Sequence, residues 1–503
     1  MQCGAFLLRS LHMTTRIRLL LNALLFLAPL AAGAEEFLLQ GERLTLRADN
    51  QPLAAVLQQF AQAGVRVRMD PRVDARVTAD FRDENVQTAL ARMLEPLGYA
   101  LIWDVVKGPL GTWPRLAEIQ VFQPGRENLV KPLAGTSENL EIVEGPLPGC
   151  LFVKDEILVT FKPGSQRDAV ERWLAQNGGV LIGSIPELGV YRVRFPPGSN
   201  IAALVEQLAR NPLVKVAEPH YAIATPAPVS FDLGETGPAG RGDPIQRVKG
   251  AAPVAILDTG LMQNPALDPF VAGRYDALNP DRALDDRQGH GTQMALIASG
   301  AVNPAGAGES KDGVPVIAIR AFDDRGYGSS FGLMNSMIYA AAKGARVLNL
   351  SWGTPASSRF LADAIGYAQA RGMIVVASAG NEPTGRAIYP AAYPGVVAVS
   401  ALDAGNQPWT SSNYGDFVTV AAPGTARFSV GYRGPPGGYA GTSIASAYVS
   451  RNLALYLARH PKATAAQAVN ALCQAVSPGK ASARDPRLGH GRLDTEALSR
   501  LLP

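Results

Sequence analysis

Residues 253–260 read Pro-Val-Ala-Ile-Leu-Asp-Thr-Gly, an apolar run that stops at an aspartate and a glycine turn. The run shows no polar alternation, so it predicts a strand buried on both faces, the kind that belongs to a parallel sheet. Similar apolar strands are expected at 314–319, 346–350 and 373–377. Helical stretches lie between the strands, at 291–299, 331–342 and 359–370. Strands alternating with helices predict an α/β fold for 252–503, a parallel sheet flanked by helices. Ligands of such sheets gather at the carboxyl ends of the strands, where Asp258 stands.

Upstream of this block the pattern changes. In 150–222, Ile157, Val159 and Phe161 alternate as in a strand, as do Tyr191, Val193 and Phe195. Helices are expected around Ala169–Leu174 and 201–209, and a strand at 213–217. The order β-α-β-β-α-β is the ferredoxin-like α+β arrangement. Residues 223–251, rich in Pro, Gly and charge, read as an exposed linker and processing region. Residues 124–149 read as a linker as well. A further small α+β domain is expected over 35–123. There Asn50 and Pro52 open a helix carrying Leu53, Val56, Leu57 and Phe60, and 65–69 alternates as a strand. A second helix carries Val86, Leu90, Met93 and Leu94, before a strand at 99–105. This stretch resembles, through a weak motif, the short N-terminal domain of secretins and TonB-dependent receptors. That resemblance implies a periplasmic module that contacts a partner protein; an unrelated small α+β domain fits the pattern nearly as well.

Residues 1–34 read as a signal peptide: Arg16 and Arg18 precede an apolar run over 19–30, and Ala32-Gly33-Ala34 offers small residues for cleavage. Translation from Met13 fits the same reading. The run is short for a membrane anchor, and no Cys follows it to take a lipid. The expectation is an exported protein, periplasmic or extracellular, with no stable membrane anchor. Loss of Arg9, Arg16 and Arg18 lowers the net charge from +4 to +1, which leaves no basic footprint for nucleic acid. Three Cys exclude a disulfide scaffold; Cys3 leaves with the signal, and an oxidising compartment permits Cys150 and Cys473 to pair. The apolar stripe around Cys473 favours an inert thiol instead.

Four histidines remain after the signal: His220, His290, His460 and His490. His290 lies in "GHGT" ahead of a helical stretch, with flanking glycines that permit close backbone approach; histidine is the usual proton carrier near neutral pH. His490, in a similar "GHGR", lacks such a helix and reads as a turn. Ser443, in "GTSIAS", opens a long helix; taken alone it reads as an N-cap, and its catalytic reading needs a base nearby. Asn381, in "SAGN" after an apolar strand, reads either as a turn residue or as an amide donor to an oxyanion. Asp-Thr-Gly is also the signature of aspartic proteases, but those need two such carboxylates and the chain has no second one.

Together these segments resemble the subtilisin-like serine proteases. The segments "AILDTG" (255–260), "GHGT" (289–292), "GYGSS" (326–330), "VLNLSWG" (347–353), "SAGN" (378–381), "YPAAYPGVVAVSA" (389–401), "SNYG" (412–415), "AAPG" (421–424), "GTSIAS" (441–446) and "GHGRLD" (489–494) follow the family's order. "EILVTFKPG" (156–164), "LGVYRVRFPPG" (188–198) and "VKVAEPHY" (214–221) resemble the family's prodomain. The resemblance implies a serine endopeptidase with Ser443 as nucleophile, His290 as general base and then acid, and Asp258 orienting the imidazole. Asn381 and the Ser443 N–H would form the oxyanion hole. Gly328 and Ser329 on one side, and Ser351, Trp352 and Gly353 on the other, would flank an extended substrate strand.

The implied partners are protein or peptide substrates and the chain's own prodomain, a folding aid and intramolecular inhibitor whose tail near 219–222 blocks the cleft. Chemistry needs no cofactor. Structural calcium is left open: Asp281, Asp285 and Asp286 are scattered acids in what reads as a solvated loop. Ala447 stands where the family usually has Pro, which removes no catalytic group. Two rivals remain: a peptide-binding scaffold that has lost catalysis, against which the intact Asp258, His290 and Ser443 stand, and a regulatory protease that recruits its target through 35–123.

Overall fold

A computed structural model describes residues 36–133, 140–145, 148–231, 245–279, 282–308, 310–478 and 485–502. The signal-peptide reading of 1–34, the middle of the 223–251 region and Asp281 lie outside them.

The C-terminal block is built on seven strands: β1 (Val254–Asp258), β2 (Val271–Asp276), β3 (Val316–Arg320), β4 (Val347–Leu350), β5 (Ile374–Ser378), β6 (Val397–Leu402) and β7 (Val420–Pro423). Their order is β2-β3-β1-β4-β5-β6-β7, with every neighbour parallel. Four helices matter here: α1 (His290–Ser299), α2 (Ser330–Ala342), α3 (Arg359–Ala370) and α4 (Thr442–Arg459). Alternate strand residues go to opposite faces. Val254, Ile256, Val316, Val347 and Val376 join the buried cluster with α1 and α4. Ala255, Leu257, Ile319, Leu348 and Val375 join the one with α2 and α3. This two-sided burial is the reason the strands carry no polar alternation. Between β3 and β4 the chain crosses over β1, so the order turns there and opens a crevice beside the carboxyl end of β1.

Residues 151–224 form the expected ferredoxin-like unit. Strands Leu151–Phe161, Val180–Ile185, Val190–Arg194 and Val214–Ala224 are antiparallel, and the first lies between the third and the fourth. One face packs on helices Arg167–Gln176 and Ile201–Ala209. From the other, Leu158, Ile185, Val190 and Ile223 enter the buried cluster that holds α2 and α3. Each such side chain contributes roughly 1.5–3 kcal/mol of gross burial, so the prodomain docks by the same force that builds the core.

Four expectations need correction. First, the linker over 124–149 is bound at both ends: Lys131–Pro132 pairs with Arg68–Met69, and Ile142–Glu144 pairs with Leu151–Val153, so the prodomain sheet begins before residue 150. Second, the last prodomain strand runs on to Ala224 and pairs with Tyr327–Ser329 of the C-terminal block. Third, further along the expected linker, Val229–Phe231 pairs with Gly437–Ala440, and Gln246–Arg247 pairs with Asp312–Gly313. In each case a segment outside the expected strands finds backbone partners on the edge of another strand. Fourth, residues 36–133 do contain the expected helices (Leu53–Gln62, Val86–Leu94) and strands (Arg66–Met69, Gly98–Gly108). Strands Glu36–Gln40, Arg43–Pro52, Arg76–Asn85 and Gly111–Phe122 were not foreseen. This unit rests on the prodomain: Ser184 Oγ donates to Lys107 O (2.9 Å), and Leu110 N donates to Tyr191 Oη (3.2 Å). Cys150 and Cys473 form no disulfide, and burial pushes the Cys150 thiol up.

Candidate active site

Asp258 closes β1 and His290 opens α1. Gly260, at φ +132°, passes so close to Asp285 that a Cβ there would strike its carbonyl oxygen, and a Cβ on Gly291 would strike Gly260. The glycines of "DTG" and "GHG" therefore serve a single close approach that brings aspartate and histidine together. His290 Nδ1 lies 2.7 Å from Asp258 Oδ1, and both residues are buried. A carboxylate only accepts, so Nδ1 carries a proton; in the neutral imidazole Nε2 is then the acceptor. Asp258 Oδ1 also accepts from Thr259 N (2.8 Å).

Ser443 and Asn381 line the same small cavity as His290, with Tyr432, Tyr439 and Gly441. Ser443 sits in the first turn of α4, a helix buried through most of its length. Its hydroxyl is oriented toward Ser351 O at 3.4 Å; among the described residues no hydrogen bond joins it to His290. Asn381 Oδ1 accepts from Thr442 N (3.0 Å) and Thr442 Oγ1 (2.9 Å). Its Nδ2 makes no hydrogen bond among the described residues.

The tail of the prodomain lies across this cavity. Ala222, Ile223 and Ala224 pair with Ser329, Gly328 and Tyr327, and Thr225 N donates to Gly326 O (2.8 Å). Pro226, Ala227, Pro228 and Val229 line the cavity opposite His290 and Ser443, and Tyr432 Oη donates to Pro226 O. The obstruction is thus several residues later than the expected 219–222. Gly328 and Ser329 pair with Ile223 and Ala222 of the tail. Ser351, Trp352 and Gly353 form no hydrogen bond with it among the described residues. Ser351 Oγ instead meets Ser446 Oγ (3.2 Å), and Trp352 is buried near Phe322.

Two supporting residues escaped sequence reading. Asp286, buried rather than solvated, accepts from Thr259 Oγ1 (2.8 Å), Gly289 N (2.8 Å), Gln288 N (3.2 Å), Thr292 N (2.9 Å) and Thr292 Oγ1 (2.7 Å). It ties the turn after Asp258 to the start of α1. Asp285 is paired with Arg282 (3.0 Å) and Arg287 (3.4 Å). Among the described residues, Asp285 Oδ1 is buried without a hydrogen-bond partner, and no group of three His, Cys, Asp or Glu is placed to hold a metal. An Asp shortly before a Gly-His helix start was the available signal, since such residues cap helices. The second is Thr442, which orients the Asn381 amide. His460 ends α4 against Tyr456, and His490 is an exposed turn residue.

A parallel sheet with this crevice, a histidine bound to aspartate beside a serine at a helix start, and a docked inhibitory domain define a subtilisin-like serine protease. Residues 250–491 match the subtilase family, and residues 145–220 match the fervidolysin N-terminal prodomain. The thermophilic serine proteinase of Bacillus sp. (strain AK1) is 32% identical over 315 residues, covering 60% of this chain and 78% of that protein. Thermitase of Thermoactinomyces vulgaris is 35% identical over 201 residues, 40% of this chain and 72% of its own. The chain belongs to the subtilase family. In structure it is similar to fervidolysin from Fervidobacterium pennivorans, with TM-score 0.57 and 22% identity over 73% of this chain and 63% of that one. None of these similarities bears on the secretin-like reading of 35–123. No helix among the described residues is long and apolar enough to cross a membrane.

Proposed function

We propose that the chain is the self-inhibited precursor of an exported serine endopeptidase, acting through an acyl-enzyme. Ser443 attacks the scissile carbonyl as His290 Nε2 takes its proton, and Asp258 holds the imidazole in the Nδ1–H tautomer and stabilises its cation. The Asn381 amide and the Ser443 N–H receive the oxyanion. A rotation of the Ser443 side chain exchanges its contact with Ser351 O for one with His290. The observation that carries this reading is the Asp258–His290 bond at one wall of the cavity that also holds Ser443 and Asn381, with residues 226–229 lying across it.

In the precursor the prodomain holds the cleft by three kinds of contact. Its edge strand adds to Tyr327–Ser329. Glu218 accepts from Ser358 Oγ (2.8 Å) and Arg359 N (2.6 Å), capping α3. His220 Nε2 accepts from Phe331 N at the start of α2 (3.3 Å). Cleavage between residues 222 and 252 frees the enzyme. The contacts of residues 36–133 with the prodomain support their release together with it; a partner bound by 35–123 would then act on the precursor.

The test is a fluorophosphonate probe on the chain expressed from Met13, beside Ser443→Ala. Wild type shortened within 222–252 and labelled at Ser443, with an intact unlabelled mutant, is expected. A wild type that stays unlabelled even after a trace of external protease removes the prodomain rejects the reading. Deleting residues 35–123 tests recruitment: general proteolysis and every specific target unchanged rejects it.

A further inference from the structure

A cleft that binds an extended chain through main-chain hydrogen bonds is indifferent to sequence; selectivity comes from side chains that meet side chains. One such meeting is present. Arg433 Nη2 lies 2.7 Å from Thr225 Oγ1, at the position where the tail N–H binds Gly326 O, immediately before the residues that face His290 and Ser443.

Several features make this contact a built one. Arg433 has φ +47°, a left-handed conformation uncommon for a residue with a long side chain. Its N–H donates to Gln288 O (2.9 Å) and its Nε to Gln288 Oε1 (2.8 Å). Gln288 is itself buried, two residues before His290, and donates from Nε2 to Asp323 O (3.0 Å). Opposite the guanidinium stands Gly326, where a Cβ would run into both Arg433 Nη2 and Thr225 Oγ1. The remaining contact of Nη2 is a carbonyl, Arg325 O at 3.3 Å.

Charge completes the argument. The neighbouring ions are matched: Arg325 with Asp323 (3.3 Å), Arg287 with Asp324 (2.7 Å) and Arg320 with Asp324 (2.8 Å). Arg433 pairs with no carboxylate among the described residues. It presents an unmatched cation to the Thr225 side chain, which is buried beneath it. A hydroxyl there accepts one bond, and a carboxylate there accepts a charge-assisted one. A lysine there would set its ammonium against the guanidinium, like charge on like.

We infer that Arg433 is a specificity-determining residue, selecting an acidic or hydroxyl side chain at the substrate position that Thr225 occupies in the precursor. The inference rests on the protease reading, with residues 222–229 following the path of a substrate. The acidic side chain is the stronger ligand, and Thr225 is the weaker one that the precursor uses in its own tail.

The test uses the full chain, processed by itself or with a trace of trypsin, its active sites counted by fluorophosphonate labelling. The substrates are quenched fluorogenic peptides with Ala-Ile-Ala-X-Ala-Ala-Val at their centre, X being Asp, Thr, Ala or Lys, and the cut bond is read by mass spectrometry. Wild type is expected to rank Asp, Thr, Ala, Lys in kcat/KM, with Asp over Lys by at least about tenfold, a ratio that shrinks in high salt. Arg433→Gln flattens the series and Arg433→Glu inverts it. An Asp/Lys ratio that Arg433→Gln leaves unchanged, in enzyme labelled at Ser443 and cleaving the peptides, overturns the inference alone. Failure to label Ser443 or to cut any peptide overturns the protease reading and the inference with it.

Discussion

Two histidines are buried among the described residues, each bound through Nδ1 to a buried carboxylate: His290 to Asp258 at 2.7 Å, and His220 to Glu156 at 2.6 Å. The two pairs are nearly alike in distance and burial and differ in what surrounds them. Nε2 of His290 has no hydrogen-bond partner among the described residues and faces the cavity with Ser443. Nε2 of His220 is already occupied by the Phe331 N–H, and its carboxylate is shared with Arg192 (2.6 Å) and Arg194 (2.7 Å). One pair leaves a nitrogen open to the cavity. The other spends every valence on holding the prodomain against α2. A histidine–carboxylate pair is therefore no sign of catalysis until the far nitrogen has been followed to its neighbour.

The contrast is tested first by removing the reactive partners. Ser443→Ala or His290→Ala is expected to lower peptide hydrolysis by about a millionfold, measured per folded molecule, while prodomain docking is retained. Asn381→Ala should cost about 10²–10³ in kcat with little change in KM, read by steady-state kinetics. The equivalent damage at the second pair is structural. Glu156→Ala leaves Arg192, Arg194 and His220 around an empty buried site and should cost about 3–5 kcal/mol of prodomain stability in urea titration of a Ser443→Ala precursor. The mature enzyme's rate per labelled Ser443 should not move.

Acidity sharpens the same comparison. Burial holds His220 below its ordinary value of 6.5, against the pull of Glu156. The folded precursor therefore binds its proton later than the released chain does. Stability is complete above about pH 6.5 and declines as the pH falls beneath it. Burial pushes Glu156 up, but Arg192, His220 and Arg194 outweigh it and hold the carboxyl well below 4.5, so its contribution disappears only at lower pH. Prodomain release from the Ser443→Ala precursor is expected to quicken between pH 6.5 and 4.5 in the His220 protein and to lose that dependence in His220→Gln. The same slope in both would reject the assignment to His220. The smallest effect is at Glu218, where Glu218→Ala removes the acceptor for Ser358 Oγ and Arg359 N at the start of α3 and should weaken docking by about 1 kcal/mol, roughly fivefold in prodomain affinity.

How far such features could be read in the chain depended on whether their cause was local. The strands around Val254–Asp258 and Ile374–Ser378 were legible because burial on both faces leaves an uninterrupted apolar run. The prodomain strands were legible by alternation, because one edge of the pattern packs on its own helices. Arg76–Asn85, reading "RVTADFRDEN", was not: much of it is exposed, and it is a strand because it pairs with Arg43–Pro52. Asp286 was taken as a loop acid: its place before a Gly-His helix start hints at capping, but the bond from Thr259, 27 residues away, is written nowhere near it.

By itself the sequence marked the candidates: Asp258, His290, Asn381 and Ser443 stand in turns whose glycines and helix starts suit only a few residue types. It also determined that an α/β block follows a ferredoxin-like one, since the periods of burial are written locally. Only the tertiary structure decided that Thr225 lies under Arg433, that Glu218 caps α3, and that His220 points into the interface while His290 faces the cleft. Those relations join segments more than a hundred residues apart in the chain through single hydrogen bonds and shared burial. No local period carries them, because the partners lie on separate segments that only the tertiary fold brings together.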